Sequence, residues 1–397
     1  MRSGGFPASG RLAIVLVGVV VSLSLLLLLV AAAGAAPTRG PANGEVKINA
    51  AHNGQRVAVK KGQDLLVSLE GNPSTGYMWE VAEGEGAVLE KVADFTFAPE
   101  STLVGAPGVV TLRFAAKGEG QAPLKLVYQR PWEKEKAPAR SFAVQVDVAG
   151  SIPEADRPVH EANVPPGLEG KPQKDTGLPA YFNWCDLNGC TPVKDQGQCG
   201  SCWAFATVGP LESAILIKGG NTQDLSEQYL VSCNTDGWSC NGGWWAHDYH
   251  EDKLGLNQAQ AGAVHEQDFP YVAQNAGCGQ PYSHDERISS WSYVGRVPYT
   301  IPSTTAIKQA VQTYGPVTVG VCAGNNFASY SGGVLVKSDR SCGSGVNHAV
   351  VLTGWDDAKR AWRLRNSWGS GWGEDGYAWI RYNISNVGFN AAYVVYP

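Results

Sequence analysis

The chain has 397 residues, which exceeds one ordinary hydrophobic core and favours two domains with additional segments. With 44% hydrophobic and 17% charged residues, its composition excludes an intrinsically disordered chain. The net charge of −5, with the acidic excess in the second half, indicates no nucleic-acid partner. Seven scattered histidines lack the spacing of metal ligands, so we expect neither a metal site nor a cofactor.

The N-terminus predicts export. Arg2 and Arg11 precede an apolar run over residues 12–36, which ends in small residues. This pattern is typical of a signal peptide, with cleavage after Ala35 as one example, but the run is also long enough to cross a bilayer. Residues 1–36 are therefore predicted to be either a cleaved signal or a retained membrane anchor. Both alternatives place the rest of the chain outside the cytoplasm, secreted or anchored on the outer face of the cell membrane.

Residues 45–149 have the pattern of an all-β domain. Short stretches rich in valine alternate apolar and polar residues, and Gly, Pro and Asn clusters separate them. We expect an antiparallel, immunoglobulin-like sandwich. Residues 150–177 contain five prolines and no periodicity, which predicts a linker. The predicted strands include Arg56–Lys60, Asp64–Leu69, Val109–Phe114, Leu124–Tyr128 and Ser141–Val148.

The sequence pattern of residues 178–397 differs from that of the β-rich part and predicts a two-lobed α+β domain. A helical pattern runs from about Cys202 to Lys218 and ends at two glycines, and a second helix begins near Ser226. Helices first and strands later place a cleft between two lobes. The predicted strands are Val317–Val321, Ala349–Gly354, Ala361–Arg365 and Tyr377–Tyr382.

Nine cysteines all lie at or after Cys185, and the first 184 residues contain none. This division supports two separately built domains. In an exported protein an odd number of cysteines predicts one thiol that is kept free.

The segment QGQCGSCWAF, from Gln196 to Phe205, contains Cys202 and resembles the active-site signature of papain-like cysteine peptidases. Further matching segments follow in the family's order, and the resemblance covers about 220 residues. These segments are LPAYFNW and TPVKDQG before the signature, SCNGG at Ser239–Gly243, VNHAV with His348, and RNSWGSGWGEDGY with Asn366 and Trp368.

The resemblance implies a cysteine endopeptidase with Cys202 as nucleophile at the start of a helix, where the dipole favours a thiolate. His348 would hold the proton as an imidazolium ion. Asn366 would orient its ring, and Trp368 would cover their hydrogen bond. Gln196 would donate its side-chain amide to the oxyanion, together with the backbone N–H of Cys202.

The other eight cysteines can form four disulfides. The resemblance implies the pairs Cys199–Cys240 and Cys233–Cys278. A tight loop favours Cys185–Cys190, and Cys322 and Cys342 remain to pair with each other. The last pair departs from the plant enzymes, because no cysteine follows Asn366.

The resemblance also implies the residues that line the pocket for the second side chain before the scissile bond. Aromatic walls and no acidic residue at the floor favour an apolar or aromatic side chain over arginine. No histidine-containing insertion of the kind that blocks the cleft in dipeptide-removing relatives is present, which favours endopeptidase action. The expected substrate-binding residues are Gly242, Gly243, Trp244, Trp245, Gly320, Ala349 and Trp368.

The β-rich part contains three loop sequences, NPSTGY at Asn72–Tyr77, GAPG at Gly105–Gly108 and RPW at Arg130–Trp132. In this order they resemble the loops of the chagasin-type inhibitors of papain-like peptidases. The resemblance implies a sandwich whose three loops fill a peptidase cleft. Glycine and proline would let backbone enter the cleft, and Tyr77 and Trp132 would supply rigid aromatic contacts. The expected loop residues are Asn72, Pro73, Ser74, Thr75, Gly76 and Tyr77, then Gly105 and Gly108, then Arg130, Pro131 and Trp132.

The two resemblances together favour an exported peptidase regulated in cis, since no helical propeptide pattern precedes residue 178. The expected partners are protein or peptide substrates and the chain's own inhibitor-like domain. The alternative is an inhibitor or binding protein whose peptidase half is an inactive scaffold, although Cys202, His348, Asn366 and Gln196 are all present. A third possibility is that the sandwich acts on other peptidases in trans.

Overall fold

The computed structural model describes residues 44–158, 177–279 and 281–397. The predicted signal or anchor over residues 1–36 lies outside the described residues, as does most of the predicted linker. None of the helices in the described ranges is long and apolar enough to cross a membrane.

The first described part is a two-sheet β-sandwich, as the alternating pattern predicts. Along its strands every second side chain is buried, and a shared interior of Val, Leu and Phe holds the two sheets together. The strands are β1 Glu45–Asn49, β2 Arg56–Lys61, β3 Asp64–Gly71, β4 Met78–Glu83, β5 Leu89–Lys91, β6 Thr96–Pro99, β7 Gly108–Ala116, β8 Gly120–Gln129 and β9 Arg140–Ser151.

The order of the strands differs in one respect from the expected antiparallel arrangement. One sheet has the order β1-β3-β7-β5 with β6 also on β7, and the other has the order β2-β9-β8-β4. The pairs β1–β3 and β2–β9 run parallel, so the antiparallel prediction is wrong for these two pairs. Alternation reports which face of a strand is buried, but it carries no information on the direction of the partner strand.

Three loops emerge at one end of the sandwich. The end of β3 pairs with the start of β7, Gly71 opposite Gly108, and the start of β4 pairs with the end of β8, Met78 opposite Gln129. The loops that leave these strand ends are therefore neighbours. We call them loop A (residues 72–77), loop B (residues 100–107) and loop C (residues 130–139).

The C-terminal region, residues 177–397, contains helices mainly in its first half and strands in its second, as predicted. Helix α1 is buried on all faces over most of its length and packs against strand β14. The helices are α1 Cys202–Ile217, α2 Glu227–Cys233, α3 His247–Glu251, α4 Thr304–Tyr314 and α5 Asn325–Ala328. The strands are β10 Tyr181–Asn183, β11 Ser290–Tyr293, β12 Val317–Val321, β13 Val334–Leu335, β14 His348–Asp356, β15 Ala361–Arg365, β16 Tyr377–Arg381 and β17 Phe389–Val395.

These strands form one sheet in the order β11-β17-β12-β14-β15-β16-β13, and β10 also pairs with β14. Four disulfides tie the loops of the region, and the free thiol among its cysteines is the buried Cys202. The disulfides are Cys185–Cys190, Cys199–Cys240, Cys233–Cys278 and Cys322–Cys342.

Candidate active site

Cys202 is the first residue of α1, and its side chain is fully buried. The first turn of a helix leaves backbone N–H groups without helical partners, and the helix dipole adds positive potential there. The sequence therefore places the free thiol where an anion is stabilised once water has access.

His348 and Asn366 meet across two neighbouring strands. His348 begins β14 and Asn366 directly follows β15, and these two strands pair antiparallel. The Nε2 atom of His348 and the Oδ1 atom of Asn366 are 2.8 Å apart. The other ring nitrogen, Nδ1, is buried and has no hydrogen-bond partner among the described residues. One imidazole nitrogen is thus held in place, and the other is left for proton exchange.

Trp368 covers this pair, as the resemblance implies. Its ring stacks on the imidazole of His348, with ring centroids 4.8 Å apart and an angle of 30° between the planes. Both side chains are buried, so the hydrogen bond to Asn366 is shielded from water.

Gln196 is close to the site, but its side chain is directed into the protein. Its Oε1 atom accepts from the Ser367 hydroxyl at 2.8 Å, and its Nε2 atom donates to the carbonyl of Cys199 at 2.9 Å. The donor that the sequence analysis assigns to an oxyanion is therefore occupied by backbone in this state.

Burial is the main influence on the pKa values of the Cys202 thiol and the His348 imidazole. It raises the pKa of the Cys202 thiol to about 12, against the opposing effect of hydrogen bonds from the Ala349 backbone and the Ser74 side chain. Burial also lowers the pKa of His348 to about 4, although Asn366 favours the charged ring. The covered site thus favours a neutral thiol and a neutral imidazole, and not the ion pair expected from the sequence.

The cover over Cys202 is formed by the sandwich. Ser74 of loop A is completely buried and near enough to the Cys202 thiol to lower its pKa, and its carbonyl accepts from the indole N–H of Trp368 at 2.8 Å. Gly105 of loop B lies on the other side of the thiol. A Cβ atom at that residue would stand 3.3 Å from the sulfur and 2.2 Å from the carbonyl oxygen of Gly200.

Loop C contacts the edge of the cleft through Arg130 and Trp132. The guanidinium of Arg130 donates to both carboxylate oxygens of Asp195, at 2.9 and 2.8 Å. Trp132 stacks on Trp368, with ring centroids 5.4 Å apart and planes only 12° apart. Gly76 lies against the same two indole rings, and any side chain there would meet Trp132 at 2.5 Å.

The expected substrate pocket is also occupied by loop B. Gly243 forms two backbone hydrogen bonds with Val104, and Gly242 lies directly beneath Leu103. Trp244 lines an open cavity of about 940 Å³ beside this segment.

The remaining expected pocket residues lie deeper than this cavity. Trp245 stacks behind Trp244 and bonds to the Asn390 carbonyl. Ala349 is buried opposite Gly320, where β14 pairs with β12.

Two of the expected loop residues stand at the edges of the loops. Tyr77, the last residue of loop A, is partly buried and packs against Tyr128 and the guanidinium of Arg130. Gly108 lies in strand β7, where a Cβ atom would collide with the Ala98 carbonyl. Both residues thus pack against other residues of the sandwich.

Three contributing residues were missed from the sequence. The carboxylate of Asp195 accepts hydrogen bonds from Arg130, and the carbonyl of Asn347 accepts from the backbone N–H of Gly105 at 3.0 Å. Val104 is fully buried and pairs through its backbone with Gly243. Asp195 and Asn347 directly precede Gln196 and His348, so adjacency was the available signal. For Val104 the sequence offered no signal other than its position directly before Gly105.

Comparison with known proteins agrees with this geometry. The model of the papain family cysteine proteases matches residues 178–397. This chain belongs to the papain family. The model of the chagasin family of peptidase inhibitors matches residues 58–146, within the sandwich.

The papain-family relatives of this chain include proteins from viruses and animals. A viral cathepsin of Heliothis zea nuclear polyhedrosis virus is 35% identical, over 56% of this chain and 57% of the relative. Cathepsin O of Homo sapiens is 37% identical, over 54% and 64%. Digestive cysteine proteinase 2 of Homarus americanus is 35% identical, over 57% and 69%. The chain thus spans less than two thirds of the length of the first two.

Proposed function

We propose that this protein is an exported cysteine endopeptidase whose own N-terminal sandwich inhibits it in cis. The observation that carries the proposal is the position of the free thiol of Cys202 beneath Ser74 and Gly105 of the same chain. The ordered pair of His348 and Asn366 beside that thiol supports peptide hydrolysis.

In the proposed reaction the Cys202 thiolate attacks the carbonyl carbon of a peptide bond. His348 holds the thiol proton at Nδ1 and delivers it to the departing amine, and water then hydrolyses the thioester. Asn366 keeps the imidazole in one orientation, and Trp368 shields that contact. Gln196 would have to turn its amide away from Cys199 to stabilise an oxyanion.

Removal of the cover would change the charge state of the site. Burial beneath the loops favours the neutral thiol and the neutral imidazole. When water enters, the desolvation penalty on ions falls, and the N-terminus of α1 favours the Cys202 thiolate. Inhibition in this proposal is therefore steric and electrostatic together.

Inhibition in cis needs little intrinsic affinity. The sandwich and the C-terminal region belong to one chain, so the effective concentration of the loops at the cleft is on the order of mM. A linker of the predicted length spans up to roughly 90 Å when extended, so the loops can reach the cleft of the same chain. Cleavage between residues 150 and 177 would release the peptidase.

We further propose that substrates place an apolar side chain where Val104 now lies. Val104 is fully buried in an apolar cluster with Trp203 and Ala349, and the partly buried Trp244 and Val346 pack against it. The export part of the proposal is supported by four disulfides, which persist in oxidising compartments.

The test uses the chain from residue 37 with a site for a sequence-specific protease inserted between residues 159 and 176. Turnover of a fluorogenic peptide is measured before cutting, and again after cutting and strong dilution. We expect at least a tenfold rise, and none in the Cys202→Ser variant. Equal turnover in both states would contradict inhibition in cis. Absence of turnover together with absence of an E-64 adduct on Cys202 would instead favour the inactive-scaffold alternative.

A further inference from the structure

Val104 and Gly105 of loop B pair through their backbone with the C-terminal region. The N–H of Val104 donates to the Gly243 carbonyl and the N–H of Gly243 donates to the Val104 carbonyl, both at 3.0 Å. The N–H of Gly105 donates to the Asn347 carbonyl, also at 3.0 Å. Main-chain pairing of this kind is how an extended peptide adds to an exposed backbone edge.

This pairing brings a peptide bond of the chain to its own nucleophile. Gly105 lies against both Gly200 and Cys202, since a Cβ atom on it would be 2.2 Å from the Gly200 carbonyl oxygen and 3.3 Å from the thiol sulfur. The next peptide bond, Gly105–Ala106, is therefore the bond that a bound substrate would present for attack. A peptidase that binds its own chain in this way would hydrolyse the bound peptide bond unless another contact prevented the attack.

The carbonyl of Gly105 is held by the sandwich itself. The side-chain amide of Asn72, in loop A, donates to this carbonyl at 2.8 Å. The oxygen of the same side chain accepts from the backbone N–H of Ser74 at 3.1 Å and from its hydroxyl at 2.7 Å. Asn72 is nearly buried, and both ends of its amide are engaged, so its orientation is fixed.

The backbone also turns at the same point. Gly105 has a φ of +88°, and the N–H of Ala106 donates to the Leu103 carbonyl at 3.2 Å, which closes a tight turn. An extended substrate would continue along the cleft. Here the N–H of the nitrogen that would have to leave is engaged within the turn.

We propose that Asn72 protects the Gly105–Ala106 bond from hydrolysis and thereby makes a substrate-like segment an inhibitor. The proposal rests on the proposed peptidase function. Attack on a carbonyl requires donors aimed at the oxygen where negative charge develops. Asn72 donates to that oxygen from within the sandwich and fixes it beside Gly200, whereas the side-chain amide of Gln196 remains bonded to the Cys199 carbonyl and does not engage it. Asn72 is in this sense a positioning residue, since it acts through Gly105.

The reaction that Asn72 prevents is ordinary peptide hydrolysis. The Cys202 sulfur would bond to the carbonyl carbon of Gly105, and the bond to the Ala106 nitrogen would break as that nitrogen takes the proton held by His348. Water would then cleave the thioester, leaving a carboxylate on Gly105 and a free thiol on Cys202.

The experiment compares the chain from residue 37 with its Asn72→Ala and Asn72→Ser variants, incubated under reducing conditions and analysed by mass spectrometry. Serine can still accept from the Ser74 N–H but is too short to reach Gly105, so it guards against misfolding of loop A. We expect both variants to accumulate chains cut after Gly105 at least tenfold faster than the parent. Addition of Cys202→Ser should abolish the cut.

The matched control is Asn53→Ala, which removes a side chain that accepts from the Ala143 backbone N–H in the same sandwich, away from the cleft. Variants of Asn72 that stay whole, whether they hydrolyse an added fluorogenic peptide or not, would overturn the proposal. In that case turnover by an Arg130→Ala chain shows that the peptidase function stands. If the Arg130→Ala chain neither hydrolyses the peptide nor takes an E-64 label, the proposed peptidase function is wrong, and the proposed role of Asn72, which depends on it, is wrong as well.

Discussion

Arg130 of the sandwich and Asp195 of the C-terminal region form a two-pronged ion pair, with nitrogen–oxygen distances of 2.9 and 2.8 Å. The guanidinium is almost fully buried, and its Nε atom also donates to the carbonyl of Thr75 at 3.1 Å. A planar fork on a carboxylate fixes orientation as well as distance. This contact therefore sets how loops A and C enter the cleft.

Substitution of Arg130 by alanine should release the cover. Arg130 is buried but the Asp195 side chain is 45% exposed, so solvent screening reduces the contribution of the ion pair to about 1 kcal/mol. The hydrogen bonds that Arg130 also donates to the Thr75 and Gly197 carbonyls would be lost with it, so docking in cis should weaken further. We expect turnover of a fluorogenic peptide by the intact chain to rise at least tenfold. Arg56→Ala is the control, because Arg56 forms a two-pronged pair with Asp147 at the surface of the sandwich, both residues belonging to the sandwich itself. An equal rise in both variants would contradict an inter-domain role for Arg130.

The same ion pair predicts how the cover responds to acid. Burial alone would raise the pKa of Asp195, but the hydrogen bonds and charge of Arg130 outweigh it and hold this pKa below 3.8. A depressed carboxyl pKa stabilises the docked state above the ordinary value, and this stabilisation is lost only as the pH falls through the docked value. The cover should therefore persist at pH 5 and loosen below about pH 3.8.

The accessibility of the Cys202 thiol measures this response. In the intact chain its reaction with 4,4′-dithiodipyridine should stay slow at pH 7 and pH 5 and accelerate near pH 3. The Arg130→Ala chain should react quickly at pH 7 and pH 5. Fast reaction of the parent chain at pH 5 would show that another group controls release.

Local patterns made much of this architecture predictable. Alternation in stretches such as Ser141–Val148 follows from one buried face per strand, and helix α1 begins at the cysteine of a contiguous motif. Contacts that exist only when the two parts dock were not predictable in this way. The partner of Arg130 and the role of Val104 depend on which surfaces meet, and no local periodicity encodes that.

The charge state of the covered site also depends on contacts that the sequence does not encode. The sequence identifies Cys202 and His348 as an acid–base pair, but the degree of burial sets which protons they carry. That burial comes from loop residues about 100 to 270 positions earlier in the chain. The side-chain direction of Gln196 likewise depends on the hydroxyl of Ser367, which lies outside its own motif, as well as on the carbonyl of Cys199 within that motif.

Gly105 should tolerate no side chain. Its φ of +88° disfavours any other residue, and a Cβ atom would stand 2.2 Å from the Gly200 carbonyl. Gly105→Ala should therefore speed inactivation of the intact chain by E-64 at least tenfold. Gly54→Ala is the matched control, because Gly54 has a φ of +78° with nothing within 4 Å of its Cβ position. If the two variants react at the same rate, backbone strain alone, without the clash in the cleft, accounts for the effect.

The pocket that holds Val104 should select apolar substrates. Its surroundings include Trp203, Trp244, Val346 and Ala349, and a charged side chain buried there without a partner would lose several kcal/mol of solvation. We expect the Arg130→Ala chain to hydrolyse a fluorogenic dipeptide with Val or Leu before the cleaved residue with a kcat/KM at least tenfold above that of the Arg counterpart. The cleaved residue is kept constant, so only this pocket is varied. Equal or better hydrolysis of the Arg peptide would show that Val104 does not report the substrate's side chain and that the open cavity beside it supplies an acidic or solvated subsite.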